Sequence, residues 1–228
     1  MQTALFDTWT DRYDRWFTTP VGRLVKQYEA ALLLDLLDPR PGERLLDVGC
    51  GTGIFTLDVV SRGALVTGID LSVPMLTVAV HRLGGSGFAG LCADMRALPF
   101  ADGSFDRVFS MTAIDFVADG AKAMNELDRV TRRGGRVVVA TLNSRGPWAE
   151  RRRQTGADGH DLFANIHFRS PEEMRALAPG ASGVQVRAAT AIHFRKDDPP
   201  EAIPAIERLG QEQNLDTGAF VAIAWDTV

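Results

Sequence analysis

Apolar segments of strand length alternate with segments of helical length through the middle of the chain. Apolar runs at 44–48, 64–69, 88–92, 106–111 and 137–142 each end close to a polar or glycine-rich turn, and helical patterns follow at 54–61, 73–82 and 120–131. This alternation predicts an α/β domain whose sheet is mostly parallel and covered by helices on both faces. Weaker patterns predict closing strands at 184–194 and 220–225, with helices at 171–178 and 200–211.

An aromatic stripe precedes the first strand. Phe6, Trp9, Tyr13 and Trp16 recur at spacings of three, four and three, which places them on one face of a helix over 5–17. Such a stripe packs a leading helix onto the core, and it also suits a lid over a ligand site from which water must be excluded. Both roles are compatible, and we expect Tyr13 to face the ligand as a catalytic residue and Trp16 to contact the substrate.

A second helix is predicted directly after the first. A threonine–proline pair supplies an N-cap and a first-turn proline for a helix over 20–37, which ends at a proline- and glycine-containing break at 38–42. We therefore predict an N-terminal helical cap at 1–38 and a ligand-binding domain at 39–228.

A glycine-rich turn follows the first strand. Gly49, Gly51 and Gly53 lack Cβ atoms, so the strand reverses sharply into a helix and backbone amides approach a ligand closely. The last glycine falls one position short of the dinucleotide pattern G-x-G-x-x-G, and Asp47 precedes the turn by two residues. The turn is thus a candidate ligand cradle, with a different ligand from NAD.

An acidic residue closes the second strand. Asp70 lies 19 residues after Gly51, at the strand tip where a Rossmann-type domain binds the two ribose hydroxyls. Its other reading is a helix N-terminal acid before Ser72, and the agreement of strand, turn and spacing favours the ribose role. Leu71 and Met75 are natural walls for an adenine ring.

The motifs 47–53, Asp-Val-Gly-Cys-Gly-Thr-Gly, and 98–106, Leu-Pro-Phe-Ala-Asp-Gly-Ser-Phe-Asp, resemble those of class I S-adenosylmethionine-dependent methyltransferases of the type 11 branch. The resemblance implies a Rossmann-like fold with a seven-stranded, mostly parallel sheet, its last strand antiparallel, and S-adenosyl-L-methionine as cofactor. It implies that Asp94, at the tip of strand three, accepts from the adenine amino group and that Arg23 meets the donor carboxylate. The cofactor residues so predicted are Asp47, Gly49, Cys50, Gly51, Gly53, Asp70, Leu71, Met75, Asp94, Met95, Ser110 and Arg23.

The acceptor is left open by the sequence. The segment after strand four carries neither the histidine pair nor the asparagine–proline motif of many relatives. Asp115 there either orients or deprotonates an acceptor, or is a loop carboxylate. Arg145 and Trp148 follow strand five on the ligand side of the sheet and are predicted to bind substrate.

Basic and imidazole side chains follow strand five. Arg151, Arg152 and Arg153 form either a solvated helix face or a site for an anionic acceptor. His160 and His167 are candidate proton acceptors, and a structural role is the alternative for each. Of the two, we predict that His167 is a catalytic residue. Their spacing predicts no metal site.

Composition narrows the function class. A chain of 228 residues that is 45% hydrophobic and 24% charged is typical of one globular unit, and no apolar run reaches bilayer length. The chain has two cysteines, Cys50 and Cys92, and neither belongs to a paired cysteine motif. No secretory signal is apparent, so a cytoplasmic location is expected. The net charge of −4 disfavours nucleic-acid binding and favours a small-molecule substrate, whereas the oligomeric state stays open.

Three functions are compatible with these patterns. Methyl transfer from S-adenosylmethionine to an O, N, S or C atom of a small molecule ranks first. A non-catalytic donor-binding or partner-regulating protein and a nicotinamide-dependent oxidoreductase are the alternatives, and Asp94 and the short glycine turn oppose the latter. Two cysteines are too few for arsenite methylation, whereas a quinone acceptor remains open.

Overall fold

A computed structural model describes residues 4–158, 161–164, 166–179 and 185–228. His160 and Val184 lie outside these ranges. Helices and strands alternate along the chain as α1 Thr10–Thr18, α2 Pro20–Leu37, β1 Arg44–Val48, α3 Thr56–Val60, β2 Leu65–Asp70, α4 Val73–Leu83, β3 Phe88–Cys92, β4 Phe105–Met111, a 3-10 turn Ile114–Phe116, α5 Gly120–Val130, β5 Thr131–Leu142, α6 Ala149–Ala157, α7 Asp161–Ala164, α8 Pro171–Leu177, β6 Arg187–Ala191, α9 Ile203–Glu212 and β7 Phe220–Asp226.

The strands form one seven-stranded sheet in the order β3-β2-β1-β4-β5-β7-β6. β7 runs antiparallel to both of its neighbours, β5 and β6, and the other strand pairs are parallel. The predicted mostly parallel sheet with an antiparallel last strand is confirmed. The strand order reverses between β1 and β4, and ligands of open α/β sheets bind at the carboxyl ends of the strands at such a point.

Two hydrophobic layers cover the sheet. On one face, Leu33 and Leu37 of α2 pack in the same cluster as Phe109 of β4. On the other face, Leu127 of α5 and Met174 of α8 pack in a cluster with the strand residues that alternate with those of the first face. Because successive strand side chains point to opposite faces, both faces of the central strands are apolar, as the continuous runs in the sequence predict.

The first helix is shorter than predicted. It begins at Thr10 rather than Leu5, because the Asp7 carboxylate accepts from the Ala4 amide at 2.9 Å and the Trp9 amide donates to the Phe6 carbonyl at 2.9 Å. These bonds hold the preceding residues in a turn. The aromatic stripe is therefore divided between a turn and a helix.

Strand β5 is longer than predicted, and β6 is shorter. β5 starts at Thr131 because that residue pairs with Phe105, with a register shift before the regular pairing from Arg107 onward. β6 ends at Ala191, where Ile192 takes a positive φ of 67°. No described helix is both long enough and apolar enough to cross a membrane.

Candidate cofactor and substrate site

A cavity of about 740 Å³ lies at the carboxyl ends of the central strands. Its first side is lined by Gly49, Gly51, Asp70, Leu71, Met75, Asp94 and Met95 from the tips of β1, β2 and β3. Its second side is lined mainly by the N-terminal segment, the residues after β4, and α6. We refer to these as the donor side and the acceptor side.

The glycine turn adopts a backbone that other residues resist. Gly49, Gly51 and Gly53 have φ angles of 78°, 54° and 75°. The amides of Gly49 and Cys50 both donate to the Ile69 carbonyl, at 2.8 and 2.9 Å, so the turn is tied to the end of β2. A Cβ on Gly51 would meet no atom within 4 Å, which shows that this residue borders open space.

Asp70 is fixed at the tip of β2 by two backbone donors. Its carboxylate accepts from the Gly51 amide and from the Ser72 amide, each at 2.8 Å. Burial raises the pKa of this carboxyl above its ordinary value, and the two amide bonds oppose that rise. A carboxylate has about four acceptor positions, so Asp70 retains capacity for a ligand diol at the cavity wall.

Asp94 also lines the donor side, but it is already paired. Arg96 donates to it through Nε at 3.0 Å and through Nη2 at 2.6 Å, and the Arg96 amide adds a bond of 2.8 Å. The Arg96 side chain holds the pKa of the Asp94 carboxyl below its usual value. The predicted acid thus reaches the cavity together with a cation that the sequence analysis did not assign.

Four predicted cofactor residues stand behind the cavity wall. Asp47 is buried and accepts from the Thr56 hydroxyl at 2.6 Å, Ser110 is buried and donates to the Val48 carbonyl at 2.7 Å, and a Cβ on Gly53 would lie 2.8 Å from Leu83. Cys50 is likewise buried, and burial raises its thiol pKa. Because their polar atoms and close contacts are directed into the protein, these residues shape the turn rather than line the cavity.

The cap is joined to the glycine turn by a polar network. Asp14 of α1 accepts from the Thr52 hydroxyl at 2.7 Å and forms an ion pair with Arg82 of α4. Arg82 also donates to the Thr52 hydroxyl at 2.8 Å. The network places the aromatic face of α1 over the cavity, and sequence spacing gave no signal for it because its members are far apart in the chain.

Aromatic side chains form most of the acceptor side. Phe6, Trp9, Tyr13 and Trp16 all line the cavity, and Phe6 packs edge-to-face on Phe116 with ring centroids 4.8 Å apart. Tyr13 and Trp16 thus lie on the cavity wall, and their contact with a ligand stays a prediction. Burial raises the pKa of the Tyr13 hydroxyl, with Glu29 adding to the rise, so this group stays protonated at neutral pH.

Two acids on the acceptor side are buried. Asp115 accepts from the Thr141 hydroxyl and from the Leu142 amide, at 3.3 Å to the latter, so its carboxyl is held at the end of β5. Burial raises the pKa of Asp115 to about 7 and that of Glu29, on α2, to about 8. Both groups are therefore able to exchange a proton near neutral pH.

Glu29→Gln should flatten the pH dependence of stability. The folded pKa of Glu29 lies above its ordinary value of 4.5, so the folded state keeps a proton that the unfolded chain has lost. Stability from this group is present below about pH 4.5 and falls as the pH rises through 8, by about 2 kcal/mol between about pH 6 and 8.

Urea unfolding at the two pH values measures this loss, which Glu29→Gln should reduce by about that amount. Asp35→Asn, at an exposed carboxylate on the same helix, is the matched control and should keep the wild-type loss. Equal pH dependence in wild type and Glu29→Gln would show that Glu29 is not a buried titrating group.

The structure places Arg23, Arg145, Trp148 and His167 away from the cavity wall. Arg23 donates to the Thr18 carbonyl, and Arg145 pairs with Glu172 and Asp216. Trp148 is buried and donates to the Phe194 carbonyl at 2.9 Å. His167 has an exposed side chain, and its backbone amide donates to the Asp115 backbone carbonyl at 2.8 Å. Arg145 and Trp148 are held by partners distant in sequence, which spacing along the chain does not show, whereas Arg23 is held by a carbonyl five residues before it.

Several cavity residues had no assigned role in the sequence analysis. Glu29 is an acid on the otherwise apolar inner face of α2, a signal that the sequence does carry. Thr112 follows β4 with a φ of 59°, which is strained for a β-branched residue. Arg12 and Lys196 also line the cavity, together with Arg152, for which the sequence left a solvated face and an anion site open.

Comparison with known proteins agrees with this geometry. The family described as a methyltransferase domain, of type 11, matches residues 46–139. Residues 46–139 belong to that family of methyltransferase domains. The resemblance drawn from the glycine turn and the Leu98–Asp106 motif is confirmed, and this methyltransferase domain contains most of β1, all of β2 to β4 and most of β5.

Two curated relatives extend the similarity beyond this methyltransferase domain. Demethylmenaquinone methyltransferase of Beutenbergia cavernae is 38% identical over 147 residues, which cover 64% of this chain and 59% of that protein. Malonyl-[acyl-carrier protein] O-methyltransferase of Serratia marcescens is 40% identical over 110 residues, or 48% of this chain and 42% of that protein. The chain thus spans about half the length of these relatives.

A solved structure confirms the class I methyltransferase fold over nearly the whole chain. A SAM-dependent methyltransferase of Thermotoga maritima, described as a possible histamine N-methyltransferase, superposes with a TM-score of 0.73 at 22% identity. The match covers 98% of this chain and 99% of that one. At this identity the likeness establishes the fold of the methyltransferase domain and its flanking helices, not the acceptor.

Proposed function

We propose that the chain transfers a methyl group from S-adenosyl-L-methionine to a nucleophilic atom of a small molecule. The observation that carries the proposal is one cavity that joins the Gly49–Gly51 turn and Asp70 to a wall of aromatic side chains. Two curated relatives support the reaction class by their names, demethylmenaquinone methyltransferase and malonyl-[acyl-carrier protein] O-methyltransferase.

The donor side fits S-adenosylmethionine. The open space beside Gly51 admits a ligand that a Cβ would obstruct. Asp70 offers acceptor positions for a ribose diol. Leu71 and Met75 supply apolar walls for the adenine, next to Asp94. When bound, S-adenosylmethionine supplies a methyl group on a sulfonium, from which the acceptor's lone pair displaces the thioether.

The chain's own contribution is alignment and exclusion of water. The ring faces of Tyr13 and Trp16 favour a nearby cationic sulfur and shield it from solvent. Tyr13, protonated and buried, is placed to orient the acceptor, whereas Asp115 is engaged by Thr141 and Leu142 and holds the end of β5 in place. Because the leaving group is already activated, an acceptor that reaches the site deprotonated needs no strong protein base.

Titration calorimetry with S-adenosylhomocysteine and with NADH tests the proposal against the oxidoreductase alternative. We expect S-adenosylhomocysteine to bind with a Kd near or below about 10 µM, that is about −7 kcal/mol, and NADH to give no saturable heat. Transfer of label from methyl-labelled S-adenosylmethionine to a small-molecule extract then tests turnover. Absence of S-adenosylhomocysteine binding would refute the proposal, and binding without turnover would favour a non-catalytic role.

A further inference from the structure

We infer that Arg152 and Lys196 form an oxyanion subsite on the acceptor side of the cavity, which takes the carboxylate or phosphate of an acceptor with an apolar body. The inference rests on the proposed function and deepens it, since it names a chemical class for the acceptor. It is carried by a guanidinium nitrogen that has no hydrogen-bond partner among the described residues, a second cation that lines the same cavity, and the aromatic rings on that side.

Arg152 brings a buried donor with no acceptor. The residue lies on α6, lines the cavity, and its Nη1 atom is buried without a hydrogen-bond partner among the described residues. A buried N–H left without a partner costs about 1–3 kcal/mol, and more when it is charged. Such a group in a cavity wall is satisfied when a ligand oxygen binds to it.

Lys196 brings a second cation to the same place. Its ammonium lies 5.1 Å from the ring centre of Trp148, and the Arg152 guanidinium lies 5.2 Å from that ring. Trp148 is itself fixed by its bond to the Phe194 carbonyl, so it is a platform for both cations. Burial, then the charges of Arg151 and Arg152, lower the pKa of Lys196, and an oxyanion bound between the cations would offset their repulsion.

The nearby acids do not cancel these charges. Glu29 and Asp115 line the cavity and act on Arg152 through space, yet neither forms an ion pair with it among the described residues. With pKa values raised to about 8 and about 7, Glu29 is mostly protonated and Asp115 only partly ionised at pH 7. The two acids therefore carry less than their full negative charge near neutral pH.

The sheet order separates this subsite from the donor side. Asp70 and Asp94 follow β2 and β3 at one end of the sheet, whereas α6 follows β5, and Lys196 follows β6 at the other end. The rings of Trp9 and Tyr13 line the same cavity. The geometry suits a molecule whose apolar body lies on the rings and whose anionic group reaches Arg152.

Fluorescence and NMR titration with benzoate, phenyl phosphate and benzamide tests the subsite. The protein is first saturated with S-adenosylhomocysteine, and benzamide is the neutral match of benzoate. We expect at least one anion to bind about tenfold or more tightly than benzamide, which is the effect of one charge-assisted hydrogen bond. The two anions distinguish a carboxylate site from a phosphate site.

Arg152→Gln should abolish the preference for the anion, and Lys196→Gln should reduce it. Arg151→Gln, which removes the same charge from an exposed neighbour on α6, should retain it within about twofold. All three variants should bind S-adenosylhomocysteine as the wild type does, and thermal melting verifies that each is folded.

Three outcomes would overturn the inference. They are equal binding of benzoate, phenyl phosphate and benzamide or no binding of any, an unchanged anion preference in Arg152→Gln, and loss of S-adenosylhomocysteine binding in Arg152→Gln, which would assign the arginine to the donor's carboxylate. If wild type fails to bind S-adenosylhomocysteine but shows the anion preference by itself, the proposed function fails while the subsite stands.

Discussion

Asp70→Ala should weaken S-adenosylhomocysteine binding by about 100-fold or more, since two charge-assisted hydrogen bonds to a ribose diol contribute about 3 kcal/mol together. The substitution also releases the Gly51 and Ser72 amides that Asp70 holds at 2.8 Å, so the turn loses an anchor. Titration calorimetry measures the affinity, and Asp70→Asn keeps the shape while removing the charge.

Asp102→Ala is the matched control for this prediction. Its carboxylate is largely exposed, pairs with Arg129, and is absent from the cavity wall. We expect this variant to bind S-adenosylhomocysteine with wild-type affinity. If Asp70→Ala also stays within about threefold of wild type, a loss smaller than one ordinary hydrogen bond, the ribose role of Asp70 is wrong.

Gly49→Ala should destabilise the fold by about 3 kcal/mol or more. An added Cβ would lie 2.2 Å from the Ala113 Cβ, and the φ of 78° is unfavourable for any residue with a side chain. The conformational penalty is about 1–2 kcal/mol and overpacking adds about 1–3 kcal/mol. Urea unfolding measures the loss, and S-adenosylhomocysteine binding should fall with it because the turn must shift.

The variants Gly51→Ala and Gly134→Ala measure the effect of backbone strain without a steric clash. Both glycines have positive φ, at 54° and 67°, and a Cβ on either meets nothing within 4 Å. Each variant should lose only about 1–2 kcal/mol of stability. Gly51→Ala alone should weaken S-adenosylhomocysteine, by about tenfold or more, because Gly51 lines the cavity. A Gly49→Ala protein as stable as Gly134→Ala would contradict the predicted clash.

The donor side could be located from the sequence because each of its parts is local to a strand end. Gly49, Gly51 and Asp70 follow their strands directly, and parallel strands bring their carboxyl ends to one edge. Spacing along the chain is therefore enough to bring these residues together. Whether Asp70 and Asp94 bind a nucleoside stays a prediction for the titrations above.

The acceptor side was only partly predictable. Tyr13 and Trp16 line the cavity because helical spacing puts them on one face, whereas Arg145 and Trp148 lie off the cavity wall. After β5 the backbone leaves the sheet, and which side chain faces the cavity depends on packing against distant segments. Arg152 faces inward while its exposed neighbour Arg151 does not, a difference that three consecutive arginines cannot reveal.

By itself the sequence determined the alternation of strands and helices, the seven-stranded sheet and the methyltransferase-domain family, because these follow from periodicity and from motifs within single strand–turn units. Only the tertiary structure decided that Glu29, Asp115, Arg152 and Lys196 share one cavity wall. They come from α2, the turn after β4, α6 and the segment after β6, and burial changes their charge states. A sequence pattern shows spacing along the chain. It does not show which distant residues meet in the fold or how strongly burial removes them from water.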